Sequence, residues 1–166
     1  MRIVGGSRDH NFTLIFAASN TRGMIHHEFF ERGTNVARFN AWLRAASEAV
    51  GNGNAIFNFY NASCHHRFAE AGLPLNHDCK LLPAYSPFLN ICENCFSAWK
   101  AGFKRQMAEV RLQQHQHTAA QRQATLMQLG AQNLAAIMAN SCENYFRRIT
   151  TYLPAMVQLQ HINDHQ

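Results

Sequence analysis

Two hydrophobic periods divide the first half of the chain. Asn11 to Ser19 (NFTLIFAAS) is an apolar run of strand length, and Thr21-Arg22-Gly23 turns it into a second strand, Met24 to Phe30. The pattern predicts a hairpin. From Thr34, a good N-cap, Val36, Phe39, Leu43, Ala46 and Val50 recur at three- and four-residue steps until Gly51-Asn52-Gly53 ends the series. That spacing lines one face of a helix. Asn54 to Tyr60 (NAIFNFY) reads as a buried-type strand, His65 to Ala71 as a short helix ending at Gly72, and about Leu75 to Leu82 as a further strand. Asn58 is polar within the apolar run, which suits either a solvent-facing edge or relaxed constraint.

Leu81 and Leu82 then meet a turn built from Pro83, Tyr85, Ser86 and Pro87, and Asn90 opens a helix that carries Glu93 in its first turn. Lys104 to Thr125 is rich in Gln, His, Arg and Ala without Pro or Gly, and predicts a largely solvated helix. Leu126, Leu129, Leu134, Ile137, Met138, Cys142, Tyr145, Phe146 and Ile149 recur at helical spacing, so a last helix must pack on something, with Pro154 ending or kinking it. Strand, strand, helix, strand, helix, strand, helix is a mixed α/β order, with helices packed on a central sheet. No repeat or flexible linker interrupts it. We read residues 1–103 as the core and 104–166 as a helical extension packed on the same domain.

Bulk properties narrow the setting. A chain of 166 residues, 47% hydrophobic and 15% charged, can bury a real core and does not have the composition of a disordered tail. No apolar run has the length of a membrane span and no signal-peptide core opens the chain, so the expected compartment is intracellular, with no membrane partner. Five cysteines, an odd number, suit reduced thiols. The net charge of +5 permits a polyanionic partner without establishing one.

The segment Leu81 to Lys100 (LLPAYSPFLNICENCFSAWK) carries the most specific signal. It resembles the signature of the Tc/mariner and insertion-sequence branch of DDE transposases, L-P-P-Y-S-P-D-L-N-P-I-E followed by N-x-W-S-x-L-K. Leu82, Pro83, Tyr85, Ser86, Pro87, Leu89, Asn90, Glu93, Asn94, Ser97 and Lys100 match in register, while Ala84, Phe88, Ile91, Cys92, Phe96 and Trp99 depart from it. Tyr60-Asn61-Ala62-Ser63-Cys64-His65 is similar to the family's Asp-Asn-Ala-x-x-His motif, with Asn61, Ala62 and His65 retained and the acid replaced by Tyr60. Ser141 to Leu153 is similar to the tail that follows the catalytic core in eukaryotic members. The resemblance implies an α/β ribonuclease-H-like fold, with a mixed central sheet flanked by helices and one strand ahead of the hairpin. It implies ancestry in DNA transposition by strand cleavage and transfer, integration of DNA, and a nuclear location.

That chemistry uses two Mg²⁺ or Mn²⁺ ions about 4 Å apart, held by carboxylates, to clamp the attacking and leaving oxygens of phosphoryl transfer. The resemblance places the first Asp on the strand before the hairpin, but Met1 to His10 contain no plausible strand bearing it, so the domain is expected to be N-terminally truncated. Asp9 is a candidate stand-in. The second acid has become Tyr60, a phenol with ordinary pKa near 10 and a poor Mg²⁺ ligand. Glu93 is the surviving acid. It remains either a weak, water-mediated metal ligand or an acid that meets the positive end of its helix. The expected product is a transposase-derived domain that lacks cleavage activity and does not bind the metals productively. The alternatives are a domesticated module that binds DNA or protein, and a decaying pseudogene product. Loss of the strand ahead of the hairpin would also expose backbone pairing groups and apolar surface.

Other residues carry competing readings. Cys92 and Cys95 with Cys64, His65 and His66 suggest zinc by ligand type, yet both of the first pair fall in one helix, and free Cys commonly packs as a small hydrophobe. Cys64 or Cys79 with His65, His66 or His77 would need an orienting third group that the sequence does not name. Lys100, Lys104, Arg105 and Arg111, with Arg122, Arg147 and Arg148, are candidate phosphate contacts for DNA. A solvated helical face predicts the same charges. The apolar face of the last helix offers a surface for a second copy or a protein partner.

Overall fold

The computed structural model describes residues 2–3, 12–31, 33–83, 86–111, 118–151 and 153. Its elements are β1 (Arg2–Ile3), β2 (Phe12–Ser19), β3 (Gly23–Glu31), α1 (Val36–Val50), β4 (Ala55–Phe59), β5 (His77–Leu81), α2 (Ile91–Arg111), α3 (Ala119–Ala135) and α4 (Ala139–Thr150). Short 3-10 turns at Ser63–His65, Phe68–Ala71 and Pro87–Leu89 join them. The hairpin is present, with Phe12 opposite Glu31 and a register shift between Ala17 and Ala18. Gly23 closes its turn at φ 77°, in the left-handed region that favours glycine.

β2 has apolar side chains on both faces, and both faces are covered. Leu14, Phe16 and Ala18 pack with Cys95, Trp99, Leu134 and Cys142 from α2, α3 and α4, while Ile15 and Ala17 pack with the cluster of Phe39, Trp42, Leu43 and Ala46 from α1. Period-two alternation thus puts the hairpin between two helical layers. Arg22 joins the layers, donating from Nη1 to the Val50 carbonyl (3.0 Å) and from Nη2 to that of Ala49 (3.1 Å), which satisfies carbonyls at the end of α1.

Several expectations are corrected. The single mixed sheet is divided into an antiparallel sheet β1-β2-β3 and a parallel pair β4-β5. Among the described residues, β1 pairs with β2 only at Phe12 and Thr13, and no strand bridges β2 and β4. Within Met1 to His10, β1 is a two-residue strand that contains no acid. The N-cap of α1 is Asn35, not Thr34, because the Asn35 side chain accepts from the Arg38 N–H at 2.9 Å. His65 to Ala71 forms two 3-10 turns instead of one helix.

The C-terminal half is likewise more divided than its periodicity. The stretch Lys104 to Thr125 belongs partly to α2 and partly to α3, because Thr118 starts a new helix through a reciprocal capping box with Gln121. The series Leu126 to Ile149 is two helices, α3 and α4, broken at Ala136–Met138; Leu134, Ile137, Cys142 and Ile149 are buried while Met138 and Phe146 are exposed. α2 itself runs without a break through residue 103. Asn58 lies exposed on β4, as an edge position allows. Asp9, Tyr85, Pro154 and the segment 112–117 lie outside the described residues. Among the described residues, no helix is long and apolar enough to cross a membrane.

Candidate active site

The two motif segments meet at the C-terminal end of β4. Tyr60 leaves that strand and Glu93 lies in the first turn of α2, and the Tyr60 hydroxyl donates to Glu93 Oε1 at 2.6 Å. Burial, then the Glu93 carboxylate, pushes the Tyr60 phenol well above its ordinary range, with a hydrogen bond to Asn90 acting the other way. Asn90 is itself buried, and its Oδ1 accepts from the Cys92 N–H at 2.9 Å, capping the start of α2. The contact of Asn90 with Tyr60 is not apparent from its motif position, which suggests only a helix start.

His65 holds the Tyr60 backbone. Its Nδ1–H donates to the Tyr60 carbonyl at 2.6 Å, while its ring packs 4.2 Å from Phe39 and 5.3 Å from Phe59 between centroids. Burial is the main cause that lowers its pKa, favouring a neutral ring that positions Tyr60. Asn61 is exposed and its side-chain oxygen bonds His66 Nε2. Tyr60 and His65 thus form a local lock around the strand end, with Asn61 beside it bonded to His66.

Among the described residues, the donor set does not fit a two-metal clamp. Glu93 supplies one carboxylate and Tyr60 a protonated phenol that already occupies one of its oxygens, and His65 Nδ1 is committed to a carbonyl. Among the described residues, no group of three or more His, Cys, Asp or Glu could hold a metal ion. Zinc finds no better set, for Cys92 and Cys95 share α2 and the Cys95 sulfur lies 3.8 Å from that of Cys142. Burial raises the Cys92 thiol to about 12 and the Cys79 thiol to about 11, which disfavours both as nucleophiles. His77 is engaged on both nitrogens, by the Ser47 hydroxyl at 2.6 Å and the Gly53 carbonyl at 2.9 Å, so it is no free base for Cys79. No local sequence pattern marks that buried Ser47–His77 pair, whose partners are 30 residues apart.

Of the basic candidates, Lys100, Lys104 and Arg105 are exposed on α2. The two ion pairs among the described residues are Arg67–Glu70 and Lys80–Asp78, which leaves these three without a carboxylate partner in that set. Arg111 is the last residue of α2.

Residues 2–115 match the family described as DDE superfamily endonuclease. No curated protein sequence matches the chain. Among solved structures, the chain is similar to the Mos1 transposase paired-end complex with left transposon end, at 16% identity and a TM-score of 0.58, over 90% of this chain and 44% of that one. The chain therefore spans less than half the length of that transposase chain, and the likeness is one of fold.

Proposed function

Because the chain belongs to the DDE superfamily of endonucleases, we propose that it is a transposase-derived domain in which the strand-cleaving site has been closed. The observation that carries this reading is the 2.6 Å bond from the Tyr60 hydroxyl to Glu93. In-line phosphoryl transfer needs several anionic oxygens around hard cations. Here the one acid of the motif is capped by a neutral donor at the place where the family signature has its second acid. Plasmid nicking with Mg²⁺ or Mn²⁺ tests it: the expected result is no cleavage above background for the native chain. Cleavage that disappears on Glu93→Gln or Asp9→Asn would refute the proposal.

A second reading, retained DNA binding without cleavage, is favoured by the exposed Lys100, Lys104 and Arg105. The step from Lys100 to Lys104 puts those two on one helical face, able to neutralise phosphates without reading sequence. Three such contacts would give a log–log salt slope of about −3 on duplex DNA. Charge reversal at the three positions should flatten that slope, and absence of binding at low salt would reject the reading.

A further inference from the structure

The core between α2 and α4 holds a pair of thiols that the proposed function does not use. Cys95, one turn after Cys92 on α2, and Cys142, near the start of α4, are both 0% exposed, and their sulfurs lie 3.8 Å apart. Leu14, Phe16, Trp99, Leu134 and Ile137 enclose them in one apolar cluster. A disulfide bond is roughly 2.0 Å long, so the remaining gap is within reach of side-chain rotation and a small shift of the helices.

A second observation indicates what a bond between them would act on. α4 is held thinly: of its 12 residues the buried ones are Cys142 and Ile149, and its N-cap, Met138, makes no side-chain capping bond. An element with few buried side chains opens locally at lower free energy than the core. Opening of α4 is therefore the route by which a small oxidant reaches two sulfurs that water does not touch. Beside the pair, a groove of about 530 Å³ separates Glu93, Asn94 and Ser97 on α2 from Tyr145, Arg148 and Ile149 on α4.

We propose that Cys95 and Cys142 are a reversible disulfide site, oxidised by a peroxide, that staples α4 to α2 and fixes the width of the groove beside Glu93. In the first step one thiol takes an oxygen from hydrogen peroxide, giving a sulfenic acid and one water. The second sulfur then attacks the first: the S–S bond forms, the S–O bond breaks, and the hydroxide leaves as water with the attacking thiol's proton. Two thiols and one peroxide thus give one disulfide and two waters, with two electrons passing from sulfur to peroxide. An external dithiol reverses the bond by exchange. The two cysteines are 47 positions apart, so the crosslink restricts the unfolded chain strongly and stabilises the fold.

In the test, the full chain is treated with hydrogen peroxide, the remaining thiols are blocked with N-ethylmaleimide in denaturant, and tryptic peptides are read by mass spectrometry without reductant. A linked pair of peptides 81–100 and 123–147, lighter than the sum of the two by two hydrogens and separated again by dithiothreitol, is expected. Cys92 shares the first peptide with Cys95, so the link should persist in Cys92→Ala and vanish in Cys95→Ala. The oxidised chain should melt roughly 5–10 °C above the reduced one, a shift that dithiothreitol reverses. Link and melting shift are both read on the native chain, so they stand if Cys95→Ala fails to fold. Three outcomes overturn the proposal: Cys95 and Cys142 recovered as separate maleimide adducts at a dose that consumes the partly exposed Cys64, a link from Cys142 to Cys92, or a linked chain that melts no later than the reduced one.

Discussion

Removing a single oxygen tests the contact on which the proposed closing of the site depends. Tyr60→Phe keeps the ring between its neighbours and deletes the hydroxyl that reaches Glu93 Oε1 at 2.6 Å. A hydrogen bond to a charged acceptor contributes roughly 1.5–3 kcal/mol when its groups are protected from water. Glu93 is exposed and Tyr60 half-buried, so water replaces much of the loss and about 0.5–1 kcal/mol is the expected destabilisation. For a chain of this size, that is a fall in Tm of roughly 1–4 °C. A double-mutant cycle with Glu93→Gln, read by urea denaturation, should return a coupling of about the same 0.5–1 kcal/mol.

The pH dependence has a definite sign. The folded pKa of Tyr60 is raised, first by burial and then by Glu93, so the native state favours the protonated phenol. The associated stability is fully present below the ordinary tyrosine pKa, near 10, and is lost as pH rises above it toward the folded value. Absorbance at 295 nm should show one late-titrating tyrosine that is absent from the Phe variant. Additive effects of the two substitutions, within about 0.3 kcal/mol, together with unchanged tyrosine titration, would refute the contact and with it the closed-site reading.

Other outcomes follow from packing and burial. Gly23→Ala should destabilise by roughly 2–3 kcal/mol, because φ is 77° and the new Cβ would lie 2.9 Å from both Ala139 N and Ile137 O, backbone atoms that cannot swing away. Gly33→Ala, where nothing lies within 4 Å, is the control and should be nearly neutral in the same melts. A thiol reagent at pH 8 should label the partly exposed Cys64 first and Cys79 and Cys92 slowly, since burial holds those two thiols protonated with pKa values of about 11 and 12. Mass spectrometry would contradict this if native Cys79 reacted as fast as Cys64.

Local pattern sufficed wherever one short stretch decides the structure. The hairpin, α1, β4, β5 and the start of α2 were legible because period two, period 3.6 and the Pro-rich turn are properties of neighbouring residues. The residues of the candidate site were also named from the sequence, since Tyr60, His65 and Glu93 sit in ordered motifs. Boundaries were less so: Thr34 and Asn35 are both good caps, and only the observed acceptor geometry selects Asn35. The break between α3 and α4 was hidden because Ile137 and Met138 continue the apolar series, although one is buried and the other exposed.

What the sequence by itself determined is the hairpin, α1, β4, β5 and the start of α2, and a family motif that holds Glu93, because these rest on residue type and short spacing. What only the tertiary structure decided is how those elements approach one another. Tyr60 caps Glu93 because the end of β4 and the start of α2 converge, and Arg22 ties a turn to the far end of α1. Such relations are fixed by the packing of two helical layers on a divided sheet, and no local period encodes the distance between two strands that do not pair.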